Sequence, residues 1–137
     1  MDRLFLDANV IFSAAYRPHA GLLDLWKLKT ATLCTSPYAL EEARINLSEE
    51  IQRERLKKLS MKLDFFDAAI QKLPPGISLP DKDIPIMLAA IEAQATHLLT
   101  GDLKHFGAYF GKRISDILII SPGEYLRAQL HPVRSRD

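Results

Sequence analysis

Four acidic residues in this chain stand where carboxylates can do chemistry together: Asp7, Glu42, Asp83 and Asp102. Asp7 follows directly on the apolar run Leu4-Phe5-Leu6, and Asp102 closes His97-Leu98-Leu99-Thr100-Gly101, where Gly101 is read as permitting a sharp exit from the strand. Short apolar runs of this kind are buried strands, and ligands of a parallel sheet bind at the carboxyl ends of its strands, where loops and helix N-termini converge. Asp83 opens an apolar helical stretch through Asp83-Ile84-Pro85, and Glu42 falls on the helix after the second apolar run. All four can therefore meet at one edge. Each has a structural alternative: Asp83 as an N-cap, Asp102 as a turn former, Glu42 as a solvated helix residue. A carboxylate placed directly after a buried strand is costly to desolvate unless something compensates it, and a bound cation is the natural compensation. An all-oxygen donor set selects Mg²⁺ or Mn²⁺, and no cluster of His or Cys points to zinc.

The elements that must position these acids are legible in outline. Apolar runs at Leu4–Leu6, Ala31–Thr35, His97–Thr100 and Ile117–Ile120 read as strands, separated by stretches of helical period, and that alternation implies a parallel sheet. Pro18 and Gly21 mark a break after the first helix. Ser36-Pro37 reads as an N-cap followed by proline at the first helical position, and Ser121-Pro122-Gly123-Glu124 as a capping box. The spacing of Leu56, Leu59, Leu63, Phe66, Ile70 and Leu73 predicts a long amphipathic helix over 48–71, ended by Leu73-Pro74-Pro75-Gly76. Its other face carries Arg53, Arg55, Lys57, Lys58 and Lys62, a solvated face or a nucleic-acid contact surface. The stretch from Ile84 to Ala95 is apolar on nearly every side and predicts a buried helix.

Composition bounds the rest. A chain of 137 residues with 47% hydrophobic and 26% charged residues supports one globular core, and residues 1–130 are expected to form it, with a polar tail over 131–137. Eighteen Lys and Arg against 17 Asp and Glu leave a net charge of +1, so any polyanion must be held by local patches. The lone cysteine, Cys34, reads as a buried inert thiol. There is no apolar run of membrane-spanning length, and Asp2 and Arg3 precede a strand pattern, so a cytosolic location without membrane association is expected. His19, His97, His105 and His131 are scattered, as packing or surface histidines are, and Tyr38, Tyr109, Phe110 and Tyr125 read as core or anchoring residues before base-stacking ones.

In order along the chain, Leu6-Asp7-Ala8-Asn9-Val10, Leu40-Glu41-Glu42-Ala43-Arg44, Pro80-Asp81-Lys82-Asp83-Ile84-Pro85 continuing to Ala90, and Leu99-Thr100-Gly101-Asp102 resemble the motif series of PIN-domain nucleases. The resemblance implies a three-layer α/β/α sandwich around a central parallel sheet. It implies a metal-dependent ribonuclease, commonly the toxin of a VapC-like toxin–antitoxin pair, with RNA as substrate, an antitoxin as partner and a homodimer as the assembly. It carries Asp7, Glu42, Asp83 and Asp102 over as catalytic metal-site acids, with Glu41 and Asp81 as the neighbours that a shift of register would substitute. Asn9 matches the family's small polar residue in the first motif and Thr100 its hydroxyl before the last Asp, and both are expected to bind substrate. Lys104 stands where the family often has a further acid, which bears on whether a second ion binds; a lysine there can instead hold a substrate phosphate.

Hydrolysis of a phosphodiester requires an activated water and neutralisation of the charge that builds on the phosphorus oxygens, and divalent ions supply both. Four carboxylates without a cation would raise one another's pKa values and repel RNA, so the cation belongs to the substrate site. No side chain is assigned as general base. Two other readings compete. A haloacid-dehalogenase-type phosphatase also has an Asp after its first strand, but there a second Asp two residues on donates a proton, which Asn9 cannot do. A non-catalytic module that keeps the fold to bind RNA or protein has Lys104 as its main support.

Overall fold

Each apolar run becomes a strand, and the helices signalled after the second and fourth runs start directly behind them. The structure, a computed structural model, describes residues 1–69 and 72–130. Strands β1 (Asp2–Leu6), β2 (Ala31–Thr35), β3 (Asp64–Phe65), β4 (His97–Leu99), β5 (Arg113–Ile114) and β6 (Ile117–Ile120) form one sheet in the order β3-β2-β1-β4-β6-β5. All neighbours are parallel except β5 and β6. Helices α1 (Ala8–Tyr16), α2 (Pro37–Asn46), α3 (Glu50–Ser60), α4 (Ile84–Glu92), α5 (Leu103–Phe106) and α6 (Pro122–Leu130) complete the fold. A 3₁₀ segment over Gly21–Lys27 follows the break at Pro18.

Alternation along β1 divides the core into two layers. Phe5 faces Ile86, Met87 and Ala90 of α4, together with Cys34, Leu98 and Ile119, while Leu4 and Leu6 face Val10, Ile11 and Ala15 of α1, with Leu33, Leu56, Leu99 and Tyr125. Helices thus cover both faces of the sheet, and α4, with five buried residues in a nine-residue span, is the central helix of its layer. Cys34 is buried, and burial pushes its thiol up to about 12, so it is an inert core residue. Among the described residues no helix is long and apolar enough to cross a membrane.

The helix expected over 48–71 ends at Ser60. Beyond a turn at Met61, Leu63 is buried in the same core layer as Leu56, but from extended chain. Asp64 and Phe65 then pair with Cys34 and Thr35, and the Phe66 amide donates to the Thr35 carbonyl at 3.0 Å. The outer edge of β2 needs partners for its backbone groups, and this segment supplies them, which outweighs continuation of the helical period. Ile70 and Gln71, at the far end of the expected helix, and the expected tail over 131–137 lie outside the described residues.

Both predicted caps form. Ser36 Oγ accepts from the Ala39 amide at 3.1 Å with Pro37 at the first helical position, and Ser121 Oγ accepts from the Glu124 amide at 3.1 Å. The Ser121 hydroxyl also donates to the Glu124 carboxylate at 3.3 Å, so the glutamate is bound by the hydroxyl instead of the Ser121 amide. Gly101 needs no special backbone freedom, in contrast to its reading from sequence. Its φ lies outside the left-handed region, and a Cβ there would meet Asn9 Oδ1 at an ordinary 3.5 Å.

Candidate active site

The sheet order reverses direction between β1 and β4, since β2 continues from β1 on one side and the chain returns to β4 on the other. At such a switch point the loops after the two strands part and leave a crevice. Asp7 follows β1 and Thr100-Gly101-Asp102 follow β4, so the crevice opens between these two groups. A cavity of about 690 Å³ lies there, and its wall includes Asp7, Asn9, Glu42, Lys82, Asp83 and Asp102. The four acids singled out from sequence therefore come from four elements to one cavity.

Neither register alternative reaches it. Glu41 is exposed and accepts two hydrogen bonds from the Arg44 guanidinium, at 2.9 and 2.6 Å, and Asp81 is exposed outside the cavity wall. A step of one residue on a helix turns a side chain by about 100°, which sends Glu42 inward and Glu41 outward.

Asp7 is held rigidly. Its Oδ1 accepts from the Ala8 amide at 2.7 Å, and its Oδ2 accepts from the Thr100 hydroxyl at 2.7 Å and from Asn9 Nδ2 at 3.2 Å. Thr100 Oγ1 in turn accepts from the Asp102 amide at 3.0 Å, and Asn9 Oδ1 accepts from the Gly101 amide at 2.9 Å. The loops after β1 and β4 are thereby tied across the switch point. Burial pushes the Asp7 carboxyl up from 3.8 to about 6 against the opposing effect of the Thr100 and Ala8 hydrogen bonds, and the charges of Asp83 and Glu42 push in the same direction as burial.

Asp83 is also raised, first by burial, and the charge of Asp102 adds to that. Its Oδ2 is buried and has no hydrogen-bond partner among the described residues. Its carboxylate makes no cap bond to α4 either, so the N-cap alternative does not explain it. Asp102 does act as a cap: its Oδ1 accepts from the His105 amide at 3.1 Å.

His105 is the residue that sequence reasoning missed. Its Nδ1 lies 2.7 Å from Asp102 Oδ2 and 3.0 Å from Asp83 Oδ2. Of the two contacts, the one to Asp102 has hydrogen-bond geometry. The reading as a packing or surface histidine fails because α5 starts at Leu103 and carries the third residue after Asp102 back over the same carboxylate. An Asp-x-x-His spacing at a helix start was the available signal. Lys104 is exposed and is not part of the cavity wall, whereas Lys82 is.

The aromatic residues follow their structural reading. Tyr125 is buried with its hydroxyl donating to Asp2 at 2.6 Å, and Tyr109 hydrogen-bonds Ser78. Tyr38 is the exposed one, its hydroxyl donating to the Lys82 carbonyl at 2.9 Å near the cavity mouth. On α3, Arg55 donates to the carbonyls of Ala15 and Tyr16, so one of the four cations on that helix is spent on the C-terminus of α1, and Lys62 lies beyond the helix end.

An α/β sandwich with an acidic crevice at its switch point is the class of protein that fold and site define. The chain belongs to the PIN domain family, whose sequence model matches residues 3–104 and so spans all four acids. Two solved structures share the fold. VapBC2 from Rickettsia felis, bound to a DNA fragment from its promoter, matches with a TM-score of 0.61 at 16% identity, over 87% of this chain and 98% of that one. FitAB bound to the IR36 DNA fragment matches with a TM-score of 0.54 at 19% identity, over 87% and 94%. No curated protein matches the sequence.

Proposed function

We propose that this PIN domain is a divalent-cation-dependent endoribonuclease, acting in the cytoplasm as the toxin of a toxin–antitoxin pair, with Asp7, Glu42, Asp83 and Asp102 holding Mg²⁺ or Mn²⁺. The observation that carries the reading is the convergence of these carboxylates from four elements on one cavity at the switch point. The donor set fits a cation: a buried Asp83 oxygen lacks a hydrogen bond, and burial first, then neighbouring acids, hold the carboxyls of Asp7 and Asp83 above the ordinary carboxylate range. A divalent ion bound there supplies charge neutralisation for the scissile phosphate and activation of a water.

The chain's own residues prepare that site. Thr100 and Asn9 fix the rotamer of Asp7, and the same hydroxyl holds the Asp102 amide, so two of the acids keep their spacing with or without substrate. Asn9, exposed on the cavity wall, is also placed to contact the substrate. Lys82 on the wall and Lys104 just beyond Asp102 provide cations on the approach of an RNA phosphate. Lys82→Ala and Lys104→Ala should each weaken RNA binding and lower the slope of log affinity against log salt by about 1, with the larger loss of affinity for Lys82→Ala. Filter binding at several salt concentrations checks this, and an unchanged slope removes that lysine from the phosphate path. As the family resemblance implies, the partners are an antitoxin protein and a second copy of the chain.

Incubation of the purified chain with labelled RNA tests the reading. Cleavage in Mg²⁺ or Mn²⁺, abolished by EDTA and restored by excess metal, is expected; cleavage that persists in EDTA, or none with either metal, contradicts it. Metal should also stabilise the fold by mass action, by about 2.7 kcal/mol at a hundredfold excess over the dissociation constant. A melting temperature unmoved by millimolar Mn²⁺ would count against a cation site.

A further inference from the structure

His105 is not on the cavity wall but stands behind it against two of the wall's acids, and its imidazole has no task in a site built from four carboxylates. Its ring is only 21% exposed, and its Nδ1 stands 2.7 Å from Asp102 Oδ2 and 3.0 Å from Asp83 Oδ2. One ligand atom from each of Asp83, Asp102 and His105 can be chosen so that all lie within 4.8 Å of one another. Around a small octahedral cation with bonds of about 2.1 Å, adjacent ligand atoms are about 3.0 Å apart and opposite ones about 4.2 Å. The two nitrogen–oxygen separations, 2.7 and 3.0 Å, are those of adjacent ligands in one coordination shell.

A second observation concerns the burial and partners of Asp83 itself. The Asp83 side chain is 7% exposed, and its Oδ2 has no hydrogen bond among the described residues, since the His105 ring contact with hydrogen-bond geometry is the one to Asp102. A buried carboxylate oxygen left in that state is short of a partner. The backbone makes the ring's position a consequence of the fold, since the His105 amide caps onto Asp102 Oδ1 and the side chain follows it.

We propose that His105 is a nitrogen ligand to the cation held by Asp83 and Asp102, and that it makes this site prefer Mn²⁺ or another transition-metal ion over Mg²⁺. The proposal rests on the reading of the cavity as a divalent-cation site. Carboxylate and water oxygens serve Mg²⁺ and Mn²⁺ alike, whereas an imidazole adds little for Mg²⁺ and more for ions further along the transition series. Coordination uses the tautomer with its proton on Nε2 and the lone pair on Nδ1. Lys104, where the family often has an acid, is exposed, so the nitrogen of His105 takes over as the additional donor from the same turn.

Mn²⁺ titration of the full chain, followed by continuous-wave and pulsed electron paramagnetic resonance, tests this in wild type and His105→Gln, with Mg²⁺ as competitor. Expected are stoichiometric Mn²⁺ binding, nitrogen modulation from a directly bound imidazole that is absent in His105→Gln, and a fall of about tenfold in the Mn²⁺ over Mg²⁺ affinity ratio. Mn²⁺ bound without nitrogen modulation, or with the same modulation and ratio in the variant, overturns the ligand assignment while leaving the cation site intact. No stoichiometric Mn²⁺ binding by wild type overturns both. Should the variant fail to fold by circular dichroism, wild type labelled with ¹⁵N-histidine decides alone: the ¹⁴N modulation must give way to that of ¹⁵N.

Discussion

Asp7→Asn is expected to abolish cleavage, by about a thousandfold or more since the proposed cation site loses one of its four carboxylates, while making the metal-free fold more stable. The two effects have one cause. Burial holds the Asp7 carboxyl up at about 6, against 3.8 in the unfolded chain. A carboxyl raised in this way contributes stability that is fully present below pH 3.8 and is lost as the pH rises through about 6, so at pH 7 its ionised form costs the fold up to about 3 kcal/mol. The asparagine side chain keeps the bond from the Ala8 amide, but the Thr100 hydroxyl and the Asn9 amide lose their carboxylate acceptor, which returns part of the gain. A rise of about 5 °C in melting temperature remains, measured in EDTA at pH 7. Near pH 4 the difference between the two proteins should vanish. An active variant would remove Asp7 from the site, and a variant less stable than wild type at pH 7 would mean that its hydrogen bonds outweigh its buried charge.

The second large effect separates two adjacent glutamates. Glu42→Gln should lower the cleavage rate by about a hundredfold, because an amide binds a divalent ion far less well than a carboxylate. Glu41→Gln should stay within about twofold, since its exposed ion pair with Arg44 contributes little. Steady-state cleavage with both variants at saturating Mn²⁺ makes the comparison. Equal losses would place the site on a different face of α2 from the one that carries Glu42.

These expectations lean on parts of the molecule that sequence reveals unequally. Leu4-Phe5-Leu6 and His97-Leu98-Leu99 are legible as strands because a strand buried on both faces is apolar without alternation, and an acid at the end of each then falls at the crevice by topology alone. Glu42 and Asp83 are legible as candidates, but their register needs the helix axes: only those axes show Glu41 turned toward Arg44 and Asp81 outside the cavity wall. The end of α3 is not legible. Leu63 and Phe66 continue a spacing of three and four although one is buried and the other partly buried from chain beyond the helix end, and the demand that decides the matter is made by the unpaired edge of β2, thirty residues away. His105 was hidden for a related reason. A histidine read one residue at a time belongs on a surface, and its partners Asp83 and Asp102 become neighbours only when α4 and β4 pack together.

The central claim is that carboxylates delivered by four elements form one cation site at the β1–β4 switch point. Diffraction at the manganese absorption edge from crystals of the full chain grown with Mn²⁺ tests it most directly. The claim predicts an anomalous peak in the cavity about 2 Å from oxygens of Asp83 and Asp102, with Asp7 and Glu42 bound directly or through water. A cavity without anomalous density at millimolar Mn²⁺, or density confined to surface carboxylates such as Glu41 or Asp81, would contradict it.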